Sequence, residues 1–159
     1  KGLLYAVIRV PDVKYLIGPV SISSWCPKFY RSLIVYYLQN RHSANQMDRF
    51  VTARKPFIPD YLRSSPQDLL FEKMESIEKF DRYLLRLSNN QYRLPTLVKK
   101  YLKINCKMVT YNVDSNFNYC VDALVLLDLS DVSRSEVEAL TKDEKIRESV
   151  MARFGYDKN

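Results

Sequence analysis

The sequence predicts an α+β fold in which helices flank a small sheet of about three strands, mixed or antiparallel. Residues 15–22 are predicted to form a buried strand, and two more strands are predicted over residues 106–112 and 121–129, on either side of a connector rich in turn formers. Between the first segment and the last two, apolar residues recur at helical spacing. This succession of elements predicts the α+β class.

The helices are predicted from apolar spacing and from capping signals. Pro27 suits a first helical turn, and the residues after it place one apolar face on a helix over residues 27–40. Ser65 begins a second helix that reaches about Leu87, and LPTLVKKYLKIN forms a short basic amphipathic helix. Other helical segments are predicted at residues 2–9 and after capping signals at Ser133–Glu136 and Thr141–Glu144, the last helix ending at Gly155.

The composition predicts one folded domain with a core of ordinary size. The chain has 159 residues, of which 47% are hydrophobic, enough to fold rather than stay disordered. No apolar run approaches the roughly 18 residues that a membrane span requires, and the first residues lack the features of a signal peptide. We expect a cytoplasmic protein, with peripheral association at the inner membrane left open.

The charge of the chain is unevenly distributed. The formal net charge is +7, and residues 1–63 carry ten basic and three acidic side chains. A basic half suits an acidic partner, although an ordinary solvated surface explains it equally well. Residues 41–63 are polar and basic, which predicts an irregular segment with a short helix near Asn45–Phe50. Nucleic acid is not an expected partner, because only charge supports it.

Side chains that carry chemistry are few. The single histidine, His42, lies in a polar segment and is expected to be exposed. The cysteine spacing matches no metal motif, so we expect reduced thiols and no metal. Asp114, Asp122 and Asp128 lie around the two paired strands, where carboxylates either cap turns or act as acids and bases.

Gly18 and Pro19 interrupt the first strand. Proline has no N–H and cannot donate inside a sheet, and glycine admits the close approach of another group. The pair therefore marks a place where this strand stops pairing. A kink in an edge strand explains it, and so does a gap in the sheet that receives a ligand.

Five segments together resemble one bacterial family: YLIGPVSIS, SLIVYYL, RKPF, LPTLVKKYLK and KMVTYNVDSNFNYCVDALVLLDL. They are similar to GNAT-fold acyltransferases often labelled hemolysins, which are relatives of ornithine-lipid and glycine-lipid N-acyltransferases and of autoinducer synthases. Bacteroidetes members are the most similar. The resemblance covers nearly residues 1–130. It implies the C-terminal half of a GNAT domain over residues 1–130 and a helical tail over residues 131–159.

The resemblance also implies an arrangement of strands. Residues 15–22 correspond to the fifth strand of the family, and residues 121–129 to the seventh, which inserts beside the fifth. The family's earlier strands and its phosphopantetheine loop are expected upstream of Lys1, so we expect the chain alone not to catalyse. An exposed sheet edge would then invite pairing with a second copy, as in a homodimer.

A donor site along the first strand follows from the resemblance. The pantetheine arm of acyl-CoA or of an acyl carrier protein is expected at the splayed strand, with no permanently bound cofactor. Tyr30 corresponds to the tyrosine that protonates the leaving thiolate, although the family's downstream K-x-G-F is absent. The residues expected to hold the donor are Ile17, Gly18, Pro19, Ser21 and Ser23.

The implied function is transfer of a fatty acyl group from acyl carrier protein or acyl-CoA to an amine, which produces lipoamino acids. Asn112 and Asp114 are the expected acceptor-binding residues. Docking to an acidic carrier protein or an anionic membrane is assigned to the basic residues Arg54, Lys55, Lys99 and Lys100. The alternative is a non-catalytic accessory module that docks a carrier protein or a membrane for a fused phospholipid O-acyltransferase.

Overall fold

In the computed structural model of the chain, the described residues are 9–10, 12–44, 46–60, 74–140 and 142–154. They form a three-stranded antiparallel sheet and five α-helices, which confirms the predicted α+β class. In this part of the chain no helix is both long and apolar enough to cross a bilayer.

The sheet consists of β1 (Tyr15–Ile22), β2 (Lys107–Asp114) and β3 (Cys120–Asp128), in the order β1–β3–β2. The apolar run of β3 predicts a central strand, and the order confirms this, because β3 has a neighbour on each side. β2 and β3 pair antiparallel, and this register places Asn112 opposite Asp122.

β1 is an edge strand with one buried side and one exposed side. Val20 and Ile22 are buried, whereas Ile17, Pro19 and Ser21 are exposed, as the alternation of a strand requires. Because proline lacks an N–H, an edge strand is where a sheet accepts it. The position of Pro19 therefore agrees with an edge strand. The prediction of a buried strand over residues 15–22 is wrong, because β1 runs unbroken through Gly18 and Pro19 with one side exposed.

Helix α1 (Lys28–Arg41) forms the centre of the core, at nearly the predicted bounds. It packs against β2. Its Tyr37 ring stacks on Phe80 with the ring centroids 3.9 Å apart and an angle of 6° between the planes. The helix is buried on several sides, as shown by its buried residues Leu33, Ile34, Val35, Tyr37 and Leu38.

Helices α2 (Ile77–Leu87) and α3 (Thr96–Lys103) follow. The predicted end of α2 at Leu87 is confirmed, but an uninterrupted helix from Ser65 is wrong, since residues 74–76 are not helical. The reason is Ser76, whose side chain accepts a hydrogen bond from the Lys79 N–H at 3.2 Å and so caps the helix. The predicted start at Ser65 lies outside the described residues. The predicted basic helix is α3.

The polar segment after α1 covers the outer edge of β2. The Met108 N–H donates to the His42 carbonyl, and the Ala44 N–H donates to the Met108 carbonyl. Farther along, the Val113 N–H donates to the Lys55 carbonyl at 2.7 Å. The predicted short helix near Asn45–Phe50 is one 3₁₀ turn at Asp48–Phe50, and residue 45 lies outside the described part.

The chain divides into two compact units, Gly18–Leu126 and a unit of Lys1–Ile17 with Leu127–Asn159. The second unit contains α4 (Arg134–Leu140) and α5 (Glu144–Phe154). The predicted capping signal before α4 is confirmed: the Ser133 N–H donates to the Glu136 carboxylate at 2.7 Å, and the Glu136 N–H donates back to the Ser133 hydroxyl. The predictions for residues 2–8, Thr141 and Gly155 lie outside the described residues.

Candidate functional site

An open cavity of about 590 Å³ lies over the face of the sheet in the unit Gly18–Leu126. All three strands contribute to its floor, because alternate side chains of a strand point to the same face. The floor residues are Pro19, Thr110, Asn112, Asp122 and Leu124, and residues 51–55 form a wall.

Lys55 is the best-anchored residue of this wall. Its backbone N–H donates to the Asn112 side-chain oxygen at 2.8 Å, and its carbonyl accepts from the Val113 N–H. Its ammonium group donates to the Ser115 hydroxyl at 2.8 Å. Arg54 precedes it, is exposed, and also lines the cavity. The wall therefore presents two cations, of which Lys55 is held in place by β2.

The floor carries one carboxylate, that of Asp122, within a short network. The Ser21 hydroxyl donates to Oδ1 of Asp122 at 2.6 Å, and the Cys120 thiol donates to the same oxygen at 3.3 Å. Burial, followed by the Asp122 carboxylate, raises the pKa of Cys120, so this thiol stays protonated. The network links β1 to the middle of β3 beside the cavity.

Asp114 lies at the rim of the cavity, where it caps the hairpin between β2 and β3. Its Oδ1 accepts from the N–H groups of Asn116 at 2.8 Å and Phe117 at 3.2 Å. Asp128 makes a similar cap, since its Oδ1 accepts from the Ser130 N–H at 2.9 Å. Turn capping, one of the two roles the sequence left open, is therefore what both carboxylates do here.

The cavity brings together three of the seven residues predicted for donor and acceptor binding, namely Pro19, Asn112 and Asp114, and two of the predicted docking residues, Arg54 and Lys55. Ser21 adjoins the cavity through its bond to Asp122. Nothing lies within 4 Å of the position that a Gly18 side-chain carbon would occupy. Ile17 belongs to the other unit and does not line the cavity. The predicted residues that do line it are Pro19, Arg54, Lys55, Asn112 and Asp114.

Tyr30 and Ser23, predicted for proton transfer and donor binding, lie away from this cavity. The Tyr30 ring packs on Tyr92 with centroids 4.8 Å apart, and its hydroxyl donates to the Leu87 carbonyl at 3.4 Å. The Ser23 hydroxyl accepts from the Trp25 N–H at 3.2 Å. Tyr30 thus packs the start of α1 against the segment after α2.

A second groove of about 340 Å³ contains Ser23 and lies beside the loop between β1 and α1. Trp25, Tyr92 and Arg93 line it together with Cys26. Burial raises the pKa of the Cys26 thiol to about 11, and the Arg31 charge opposes this only in part. A thiol with this pKa is not a nucleophile at neutral pH.

The two predicted docking residues on α3 differ in their surroundings. The Lys99 ammonium pairs with the Asp81 carboxylate at 3.0 Å, and both side chains are largely buried. Asp81 also accepts from the Leu94 N–H at 2.8 Å, so this pair joins α2 to α3. Lys100 is exposed. Lys99 therefore forms an ion pair that holds α2 and α3 together, and of the two predicted docking residues on α3 only Lys100 is exposed.

The single histidine departs from the prediction. His42 is half-buried rather than exposed, and its ring lies 5.6 Å from the Tyr37 ring, centroid to centroid. Burial, and then the charges of Lys107 and Arg41, lower its pKa to about 4. The imidazole is therefore neutral at pH 7, and residues 42–44 cover β2 and do not line either of the two cavities.

Sequence reasoning gave Asp122 no binding role, although it noted a carboxylate in the apolar run VDALVLL as a candidate acid or base. Across the described ranges, no cluster of three or more metal-ligating side chains occurs.

No protein-family model, curated protein or solved structure matches this chain.

Proposed function

We propose that this chain forms part of an N-acyltransferase that moves a fatty acyl group from acyl-CoA or an acyl carrier protein to an amine. One observation carries the proposal. The sheet cavity gathers a cationic wall, Arg54 and Lys55, and a polar floor, Asn112 and Asp122, beside the edge strand β1. Cations suit the phosphates of the donor, and the carboxylate suits the ammonium group of an acceptor.

The order of the strands supports the same proposal. The resemblance expects the seventh strand beside the fifth, and β3 lies beside β1. The empty space at Gly18 lies on the edge strand, where the pantetheine arm is expected. Backbone amides near residues 17–21 would then polarise the thioester carbonyl, in the manner of an oxyanion hole.

In the proposed reaction a neutral amine attacks the thioester carbonyl. A C–N bond forms, the C–S bond breaks, and the proton that the attacking nitrogen loses passes to the released thiolate, which leaves as the free thiol. Asp122 lies in the cavity and has Oδ1 oriented by Ser21 and Cys120. It is the carboxylate best placed to hold the acceptor's ammonium group. Tyr30 stays a prediction as the acid, because its hydroxyl is bonded to the Leu87 carbonyl.

Donor binding is tested by isothermal titration of the gene product, expressed from its own start codon, with a medium-chain acyl-CoA. A Gly18→Val variant places its first side-chain carbon in open space and should bind the donor at least about tenfold more weakly, a loss of about 1.4 kcal/mol. Circular dichroism checks that the variant is folded. Tyr15→Val, on the same strand, adds no bulk there and serves as the control. Unchanged binding in Gly18→Val removes the donor from this position.

Catalysis is tested by expressing the gene from its own start codon in a bacterial host. Mass spectrometry of the lipid extract should then reveal an N-acylated amine that a host expressing only residues 1–159 lacks. An Asp122→Asn variant should lower the amount of product, and Asp128→Asn, which alters a carboxylate outside the cavity, should not. Absence of product from a folded protein with free amino acids present would reject the acyltransferase proposal.

A non-catalytic accessory module is the second candidate, and the position of Tyr30 favours it. Its hydroxyl is bonded to the Leu87 carbonyl and does not line the sheet cavity, as a docking module without chemistry would allow. This candidate expects the chain to bind an acyl carrier protein while the full gene product forms no acylated amine. A Tyr30→Phe variant of an active protein that loses turnover but keeps donor affinity would exclude it.

A further inference from the structure

Several large apolar side chains near the start of α1 are exposed to solvent. Trp25 is 85% exposed, Phe29 42% and Leu87 41%. We define the aromatic patch as Trp25, Phe29, Tyr30, Leu87 and Tyr92. A contiguous apolar patch on a protein surface indicates a partner, whereas isolated apolar residues do not.

The residues of the aromatic patch are contiguous. Trp25 and Tyr92 line the same groove, and Tyr92 packs on Tyr30. Tyr30 meets Phe29 edge to face, with the ring centroids 5.2 Å apart, and its hydroxyl reaches the Leu87 carbonyl. Two segments of the chain, residues 23–31 and 86–97, therefore build one surface.

The second of these segments is held rigidly. Ser88 is buried, and its hydroxyl accepts from the Tyr92 N–H at 2.8 Å. The turn is completed by Asn89 and Asn90, which have φ values of 49° and 67°, in the left-handed region that asparagine tolerates. Tyr92 and Arg93 are thus presented by a fixed turn, so binding would cost little ordering of the chain.

The two segments that build the aromatic patch carry charge of one sign. Residues 23–31 and 86–97 contain no acidic residue and carry four cations: Lys28, Arg31, Arg86 and Arg93. Lys28 pairs with Asp60 at 2.6 Å, and Arg31 donates to the Tyr119 carbonyl at 3.0 Å. Arg86 and Arg93 are exposed, one at each side of the turn.

We propose that the aromatic patch docks the protein on the surface of an anionic phospholipid bilayer. Tryptophan and tyrosine are the side chains that favour the headgroup region, because their rings are apolar and their N–H and O–H groups are polar. Exposed arginines beside them attract anionic headgroups. This surface differs from the basic residues that the sequence predicted for docking, since Arg54 and Lys55 line the sheet cavity and Lys99 is paired.

Trp25 is the only tryptophan in the chain, so its fluorescence reports on this surface directly. Vesicles made of equal parts phosphatidylcholine and phosphatidylglycerol should shift its emission to shorter wavelength and carry the protein down on sedimentation. Vesicles of phosphatidylcholine alone should bind much less, and raising the salt concentration should weaken binding to the anionic vesicles.

Variants separate the two contributions. Replacing Arg86 and Arg93 with Gln should weaken vesicle binding about fivefold for each arginine removed, whereas Lys142→Gln with Lys145→Gln, at exposed positions outside these two segments, should change it little. Trp25→Ala and Phe29→Ala should each lower binding. Phe50→Ala, which removes an exposed ring outside the aromatic patch, is the matched control.

Two results would overturn the proposal. One is a protein that neither sediments with anionic vesicles nor changes its Trp25 emission in their presence. The other is a shift of Trp25 emission with soluble acyl-CoA below its micellar concentration but none with vesicles, which would assign the second groove to a free ligand. Both results are independent of whether the protein acylates an amine.

Discussion

The two outer edges of the sheet are treated differently. The edge of β2 is covered by residues 42–44 and 55–57 through backbone hydrogen bonds. The edge of β1 is paired with no strand in the described part of the chain, and Pro19 lies in it. The chain thus covers one edge with its own polar segment and leaves the other open.

This difference shows two ways in which a small sheet avoids unwanted pairing. A covered edge has its N–H and C=O groups satisfied, so its protection depends on the stability of the covering segment. An open edge with a proline lacks one donor and is a poor template for another strand, while it stays accessible to a ligand.

The largest effect is expected from removing the anchor of the covering segment. Phe57 is buried, its N–H donates to the Tyr111 carbonyl at 3.0 Å, and the Arg31 guanidinium lies 5.7 Å from its ring centroid. Phe57→Ala should lower the free energy of unfolding by about 3 kcal/mol, as measured by urea denaturation. Ile58→Ala, at an exposed neighbour, should change it by less than about 0.5 kcal/mol. Equal losses in both variants would contradict an anchoring role.

A smaller effect is expected from the pH dependence of the same covered edge. The pKa of His42 is about 4 in the folded chain and about 6.5 in a solvated one. Between these values the unfolded chain binds more protons, so stability is full above pH 6.5 and is lost as the pH falls toward 4. Because His42 is only half-buried, we expect a loss of about 2 kcal/mol.

The measurement is urea denaturation at several pH values for the wild-type chain and for His42→Gln. Carboxylates titrate near the lower end of this window in both proteins, so the difference between the two curves isolates the histidine. That difference should grow as the pH falls from 6.5 to 4, with the wild type losing more stability. Parallel curves would mean that His42 is solvated in the folded chain.

The smallest effect on stability is expected at the open edge. Pro19→Val restores an N–H on an exposed part of β1 and should change the free energy of unfolding by less than about 0.5 kcal/mol. Self-association should nevertheless increase, because the edge becomes a better template for a second copy. Sedimentation velocity over a range of concentrations measures this. Thr110→Val, on the strand whose edge is covered, is the control and should leave self-association unchanged. If Pro19→Val also leaves self-association unchanged, groups other than Pro19 block the edge of β1.

The strands and short helices could be predicted from the sequence because their signals are local. The apolar runs of β1 and β3 predict strands, and the turn-rich connector between β2 and β3 predicts the turn that joins them. The exposed side of β1 could not be predicted, because its apolar run suggests a buried strand. The prediction of one uninterrupted helix before Leu87 is wrong because the apolar spacing continues across Ser76. The Ser76 side chain nevertheless caps α2 and begins the helix there.

The site could be predicted only in part, because it depends on contacts distant in sequence. The resemblance supplied Pro19, Lys55 and Asn112, and the structure brings these residues to one cavity. The hydrogen bond from Ser21 to Asp122 could not be predicted from the local sequence, because 101 residues separate the two side chains. The aromatic patch could not be predicted for a different reason. At helical spacing, exposed and buried aromatic residues have the same sequence pattern.

The thiols of this chain have a practical consequence for labelling chemistry. Cys106 and Cys120 are buried, and Cys26 is only half-buried, with a pKa of about 11. Maleimides react with thiolates, so conjugation should be slow at neutral pH, and Cys26, the only one of the three that is not buried, should react first. A spin label or fluorophore can therefore be attached one residue from the sole tryptophan without introducing a new cysteine.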